Sequence, residues 1–227
     1  RPSEAIASLK KALAIDPKRG SGLRLQLAQL VLAQGDEASA IALLQEEASM
    51  PGGETRNARL LLSQVHLDAN RTGAAKLLVD AVLNGTPDDQ EARLIAYLIA
   101  LKAGKGATEE KNAAIKIIGQ RSGVARVLLE QGFIEEGEVL LREALIEEPG
   151  DALSPVLLSA MLLGTGRGEE AQTLRDKVLA ETPEGPQRDG LTQLFTTAFA
   201  QANQELERQR AQPNAESPGA DAAPVGP

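Results

Sequence analysis

A 34-residue spacing recurs between Gly137 and Pro183, and it limits the folds open to this chain. Gly137 and Ala171 stand 34 positions apart, as do the prolines Pro149 and Pro183. The same step relates two further pairs, Leu141 with Arg175 and Ala144 with Val178. A period of this length, in which small and bulky residues recur and a proline closes the unit, indicates stacked helical hairpins.

The composition favours helices throughout the chain. Hydrophobic residues make up 42% of it but aromatic residues only 2%, with no Trp, one Tyr and three Phe. Ala and Leu must therefore fill the core, and both are strong helix formers. Alternating runs of β-branched and aromatic residues, which predict strands, are missing. We therefore predict an all-α fold.

Helix stops and turn residues divide the chain into repeats. Pro17 ends a first half repeat, Gly35 accepts the left-handed end of a helix, and Asn70 takes the place of that glycine in the next repeat. The step from Ala40 to Ala74 is again 34 residues. We predict a half repeat at 1–17, repeats at about 21–51, 55–87, 89–120, 121–149 and 152–183, a capping helix at 187–209 and a disordered Ala/Pro-rich tail at 210–227.

The repeat loosens in the middle of the chain. Ala74 and Gly137 are 63 residues apart, which equals 34 plus 29 and leaves one unit about five residues short. The simplest explanation is a shortened first helix between Ser122 and Gln131. We expect the stack of hairpins to bend or misalign here.

The small and bulky positions resemble the tetratricopeptide repeat family, whose 34-residue unit is a helix-turn-helix. The residues that carry the resemblance are Ala5, Leu9, Ala12, Pro17, Ala28, Ala40, Leu44, Ala74, Leu78, Ala81, Ala125, Gly137, Leu141, Ala144, Pro149, Ser159, Ala171, Val178 and Pro183. The resemblance covers roughly residues 1–183 and implies an α-solenoid that winds as a right-handed superhelix. Arg175 departs from it, because the family has a bulky apolar residue there.

Small residues matter because paired helices approach closely only where side chains are short. We expect a bulky residue at Ala40, Ala74 or Ala171 to push the helices apart, at a cost of about 1 to 3 kcal/mol.

The net charge of the chain limits the kinds of partner that it is expected to bind. The formal net charge is -8, or -6 without Glu216 and Asp221 near the end (-8 minus -2). This charge disfavours nucleic acid and anionic membrane surfaces as partners. No apolar run approaches the roughly 18 residues that span a bilayer, so we expect no direct membrane insertion. With no cysteine, the chain has neither disulfides nor thiolate metal sites.

The first residue is Arg1, without a Met or a charged-then-apolar leader, and we expect that an upstream portion has been removed. The absence of cysteine slightly favours the bacterial periplasm or cell envelope over the cytoplasm. The oligomeric state is left open.

The resemblance also implies a binding surface. In the family, the first helix of each unit lines a concave groove that holds an extended peptide or a partner helix. The groove positions here carry Arg56, Arg59, His66, Arg93, Tyr97 and Arg126. The planar fork of arginine binds a carboxylate through two hydrogen bonds, and Tyr97 adds stacking and a hydroxyl. We predict a cationic patch for an acidic protein segment; the alternative is an ordinary solvated face of amphipathic helices.

No residue set predicts catalysis. His66 is the one histidine, and neither a second His nor a Cys is present to complete a metal site or a nucleophile pair. We predict no enzyme activity, no metal and no cofactor. The predicted function is a non-catalytic scaffold or adaptor in a bacterial envelope assembly or secretion system, and the alternative is a structural spacer within a longer repeat array.

Overall fold

Twelve helices account for most of the chain in the structure, a computed structural model that describes residues 1–17, 22–50, 54–104 and 106–211. They are α1 (Pro2–Ile15), α2 (Leu23–Leu32), α3 (Glu37–Ser49), α4 (Thr55–Asp68), α5 (Thr72–Gly85), α6 (Gln90–Lys102), α7 (Thr108–Ile118), α8 (Arg121–Glu130), α9 (Ile134–Glu147), α10 (Leu153–Gly164), α11 (Gly168–Glu181) and α12 (Pro186–Ala211). No strand occurs within these described ranges. The predicted all-α fold is confirmed.

The hairpin turns form at residues that tolerate left-handed backbone geometry. Gly35 has a φ of 82° between α2 and α3, and Asn70 has a φ of 59° between α4 and α5. Asn is one of the few residues other than glycine that enter this region readily. Asp36 then caps α3, because its carboxylate accepts a hydrogen bond from the Ser39 amide at 3.1 Å. A short polar residue thus sets where α3 begins.

The helices group into two compact units, the first at 1–119 and the second from residue 120 onward. In the first unit each helix from α1 to α7 packs on the next, and α4 also packs on α6. In the second unit α10 packs on α8, α9, α11 and α12. Each unit is therefore a stack of helical hairpins. The division falls where the repeat loses about five residues, beside α8, which has 10 residues.

The hairpin of α4 and α5 is offset by one residue from the register that the sequence predicted. Ala40 is fully buried in α3 as expected, but the fully buried alanine of α5 is Ala75, whereas Ala74 is half-buried. The next buried residues of α5 are Val79 and Val82, in place of the predicted Leu78 and Ala81. The step between Ala40 and Ala75 is 35 residues, as is the step between the turn residues Gly35 and Asn70. One extra residue between the turns at Gly35 and Asn70 therefore shifts the buried face of α5 by one position. The predicted equivalence of Ala40 and Ala74 is wrong.

The second unit keeps the 34-residue register. Gly137 and Ala171 are both buried, and a methyl group added to Gly137 would lie 2.7 Å from the Leu129 Cδ2 atom. Arg175 replaces the family's bulky apolar residue because its guanidinium carbon lies 5.4 Å from the centroid of the Phe199 ring on α12. The long side chain of Arg175 thus fills the position by packing on an aromatic ring.

The last helix covers the end of the second unit. Leu191 and Phe195 of α12 are buried and form a cluster with Val156 of α10. The capping helix predicted at 187–209 spans Pro186–Ala211. Residues 212–227 of the predicted tail lie outside the described residues. Among the described helices, none is both long enough and apolar enough to cross a membrane.

Candidate functional site

The six predicted contact residues are divided between the two units. Arg126 belongs to α8 in the second unit, and the other five belong to α4 and α6 in the first. Arg126 is exposed and pairs with Glu130, one turn further along its own helix, at 2.7 Å. Exposed pairs at this spacing are weak and leave a cation accessible to solvent. Arg126 is therefore a solvent-accessible arginine on the surface of the second unit.

Arg56 connects two first helices of the stack. Its Nε and Nη2 atoms donate to the two carboxylate oxygens of Asp89 at 2.6 and 2.8 Å, and Glu91 lies 3.1 Å away. Asp89 also caps α6 by accepting from the Ala92 amide at 3.0 Å. The hydrogen bond from Arg56 lowers the pKa of the Asp89 carboxyl. Arg56 is thus already engaged by two carboxylates of its own chain.

The two predicted residues of α6 are also engaged within the fold. Arg93 is half-buried, and its Nε atom donates to the backbone oxygen of Pro87 at 2.8 Å. Tyr97 is 3% exposed, so its ring belongs to the core and is not open to a partner. Ser63, the residue 34 positions earlier, is also fully buried, which shows that this helix position faces inward. The expectation that Tyr97 lies on an accessible inner surface is therefore wrong.

Arg59 and His66 line a groove of about 380 Å³ between α3 and α5, with α4 as its floor; we call it the α3–α5 groove. Its lining residues are Gln45, Ala48, Ser49, Arg59, Leu62, His66, Ala74, Leu77 and Leu78. The walls α3 and α5 are the second helices of two successive hairpins. The prediction placed Arg59 and His66 in a groove lined by first helices, and the structure instead places them beside second helices.

The Arg59 guanidinium has no partner of its own. The side chain is half-buried, and it makes no hydrogen bond or ion pair within the described part of the chain. The neighbouring cation Arg71, by contrast, pairs with Glu37. Because a charge-assisted hydrogen bond gains strength away from bulk water, a half-buried free guanidinium can bind a carboxylate well.

His66 supplies a second polar group to the groove. Its Nδ1 atom is buried and has no hydrogen-bond partner among the described residues. Burial, followed by the nearby Arg71 cation, lowers the pKa of His66, so the imidazole is neutral at pH 7. A neutral imidazole nitrogen makes one hydrogen bond, as donor or acceptor according to its tautomer. In the described ranges, no cluster of three or more His, Asp or Glu side chains could hold a metal ion.

Comparisons with known proteins agree with the arrangement of the hairpins. A sequence profile of the tetratricopeptide repeat family matches residues 1–46. A tetratricopeptide repeat protein from Parabacteroides merdae is 18% identical with a TM-score of 0.54, and the match covers 91% of this chain and 86% of that one. The fold is that of tetratricopeptide-repeat proteins.

A second similar structure is the APC/C hetero-tetramer Cut9-Hcn1, at 16% identity and a TM-score of 0.52. That match covers 88% of this chain and 40% of the other, so this chain spans less than half the length of its neighbour. No curated protein matches the chain in sequence. The tetratricopeptide-repeat fold generally serves protein–protein interaction or scaffolding.

The repeat pattern did not predict the walls of the α3–α5 groove. Leu77 on its rim is 73% exposed, although a tetratricopeptide-repeat helix normally turns leucine toward the core. The one-residue rotation of α5 brings Leu77 to the surface. The signal was present in the sequence, since Asn70 follows Gly35 by 35 residues and not 34.

Proposed function

We propose that this protein is a non-catalytic scaffold that binds a peptide or helix of a partner protein on its first unit. One observation supports this most directly: Arg59 is half-buried beside an apolar groove and has no partner in the described part of the chain. Free arginines next to apolar surface are typical of the residues that dominate protein interfaces. We therefore propose Arg59 as the main contact of the partner.

The other predicted arginines have smaller roles in this proposal. Arg56 and Arg93 already bind groups of their own chain, and replacing either one would disturb the packing of α6 as well as any partner. The net charge of -8 favours a protein partner over nucleic acid. A bacterial envelope or secretion assembly is the proposed setting, on the cysteine-free composition alone.

Reversing the charge of Arg59 should strongly weaken partner capture. We expect the purified chain to capture a defined set of proteins from cells that encode it, and Arg59→Glu to reduce that capture by about tenfold or more, because the buried partner charge would lose its only cation. Arg126→Glu is the matched control, since it makes the same charge change on the second unit. Capture is measured by quantitative mass spectrometry, and circular dichroism checks the helical content. Equal capture by both variants and the wild type would refute the proposal.

A further inference from the structure

The α3–α5 groove combines three kinds of contact within a short distance. The lower part of the groove is apolar, with Leu62 3% exposed and Leu78 half-buried. Leu77 stands on the rim and is 73% exposed. Single exposed leucines are common on protein surfaces, but this one borders a concave apolar groove. A ligand that enters the groove would therefore bury apolar surface against all three leucines.

The spacing of Arg59 and His66 sets the length of a segment that can contact both side chains. Arg59 and His66 lie seven residues apart on α4, which corresponds to about 10 Å along a helix that rises 1.5 Å per residue. An extended chain covers about 3.3 Å per residue, so three residues of an extended segment cover the same distance. The volume of about 380 Å³ lies at the low end of the range for ligand sites, which suits a few side chains and not a whole helix.

The charge of the lining residues indicates whether a basic, an apolar or an acidic segment fits the groove. Among the described residues that line the groove, Arg59 is the one ionised side chain, and His66 is neutral. A basic segment would be repelled by Arg59, and a purely apolar segment would leave the half-buried guanidinium without a partner and further dehydrated. Since burying an unpaired charge is unfavourable, the groove is complementary to a segment with a carboxylate.

We propose that the α3–α5 groove binds a short extended protein segment in which an acidic residue pairs with Arg59 and a polar residue three positions away bonds to His66. An apolar side chain between these two residues contacts Leu62, Leu77 and Leu78. This inference rests on the proposed scaffold function and narrows it to one partner chemistry. It places the partner between second helices of successive hairpins.

A displayed library of random 12-residue peptides tests this proposal on the full chain. We expect selection to enrich peptides that carry an acidic residue next to an apolar one. Synthetic versions of the enriched peptides, measured by fluorescence polarisation, should bind Arg59→Gln and Leu77→Asn about tenfold more weakly than the wild type, since each variant removes one contact class.

Two matched variants serve as controls. Arg126→Gln removes an exposed arginine from the second unit, and Ile15→Asn removes an apolar side chain that is 76% exposed, close to the exposure of Leu77. Both should bind the peptides as the wild type does. Circular dichroism of all four variants shows whether the helices are retained.

The results of the peptide selection distinguish a failure of the acidic-segment proposal from a failure of the scaffold function. Enrichment of basic or purely apolar peptides, no enrichment, or equal binding by Arg59→Gln would overturn the acidic-segment proposal. A dimer whose formation blocks the peptide and is lost in Leu77→Asn would also overturn it, because a second copy would then occupy the groove. If the peptides bind as expected but the chain captures no cellular protein, the groove chemistry stands and the scaffold function fails.

Discussion

Replacing Ala75 by leucine should lower the free energy of unfolding of the first unit by about 1 to 3 kcal/mol, whereas the same change at Ala74 should alter it by less than about 0.5 kcal/mol. Ala75 is fully buried, so added methyl groups must push neighbouring helices apart. Ala74 is half-buried and lines the α3–α5 groove, where a longer side chain has room. Adjacent alanines of identical chemistry thus differ only in the direction that they face.

Chemical denaturation followed by circular dichroism measures this difference. Ala74→Leu is the control for helix propensity and for added hydrophobicity, since both variants gain the same side chain on the same helix. A larger loss at Ala74 than at Ala75 would mean that the 34-residue register holds through α5 and that the one-residue offset is incorrect.

Replacing Glu47 by alanine should destabilise the first unit by about 2 to 4 kcal/mol. The Glu47 side chain is fully buried at the end of α3, and its Oε1 atom accepts hydrogen bonds from the backbone amides of Gly22 at 2.7 Å and Glu54 at 2.9 Å. These two residues are the N-caps of α2 and α4, so one carboxylate holds the starts of two first helices. Both hydrogen bonds are part-buried, and an amide that loses its partner away from bulk water costs about 1 to 3 kcal/mol; alanine leaves two such amides.

Glu47→Gln distinguishes hydrogen bonding from side-chain packing. Glutamine has nearly the same shape and keeps one oxygen that can accept from both amides, so we expect it to retain more than half of the stability that alanine loses. Thermal unfolding of the three proteins provides the comparison. Equal midpoints for the alanine and glutamine variants would show that the hydrogen bonds to Gly22 and Glu54 do not carry the effect.

The turns and small residues of the repeats could be predicted from sequence because they depend on local backbone chemistry. Gly35 and Asn70 adopt left-handed geometry, and Gly137 and Ala171 are buried at the same place in successive hairpins. Glu47 also gave a sequence signal, since it follows the buried Ala40 and Leu44 on the same helix face as a lone acidic residue.

The contacts of the predicted binding residues could not be read from a periodic pattern. Such a pattern assigns a residue to a helix face, but the residue's partner depends on which helix lies opposite. Arg56 is engaged by Asp89, which is 33 positions away, and Tyr97 is covered within the core. The offset of α5 was missed for a related reason, because a constant period of 34 was assumed although the turn residues Gly35 and Asn70 are 35 positions apart. That offset is what exposes Leu77 and gives the groove its rim.

Nuclear magnetic resonance of the labelled full chain tests directly whether a partner segment binds between α3 and α5. A library-selected acidic peptide would be titrated into the protein while the backbone amide signals are followed. We predict the largest shifts at Ala48, Leu62 and Leu77, with the signals of residues 120–211 unchanged. Shifts confined to residues 120–211, or to α2 and α6 without the α3–α5 groove, would contradict binding of the segment between α3 and α5.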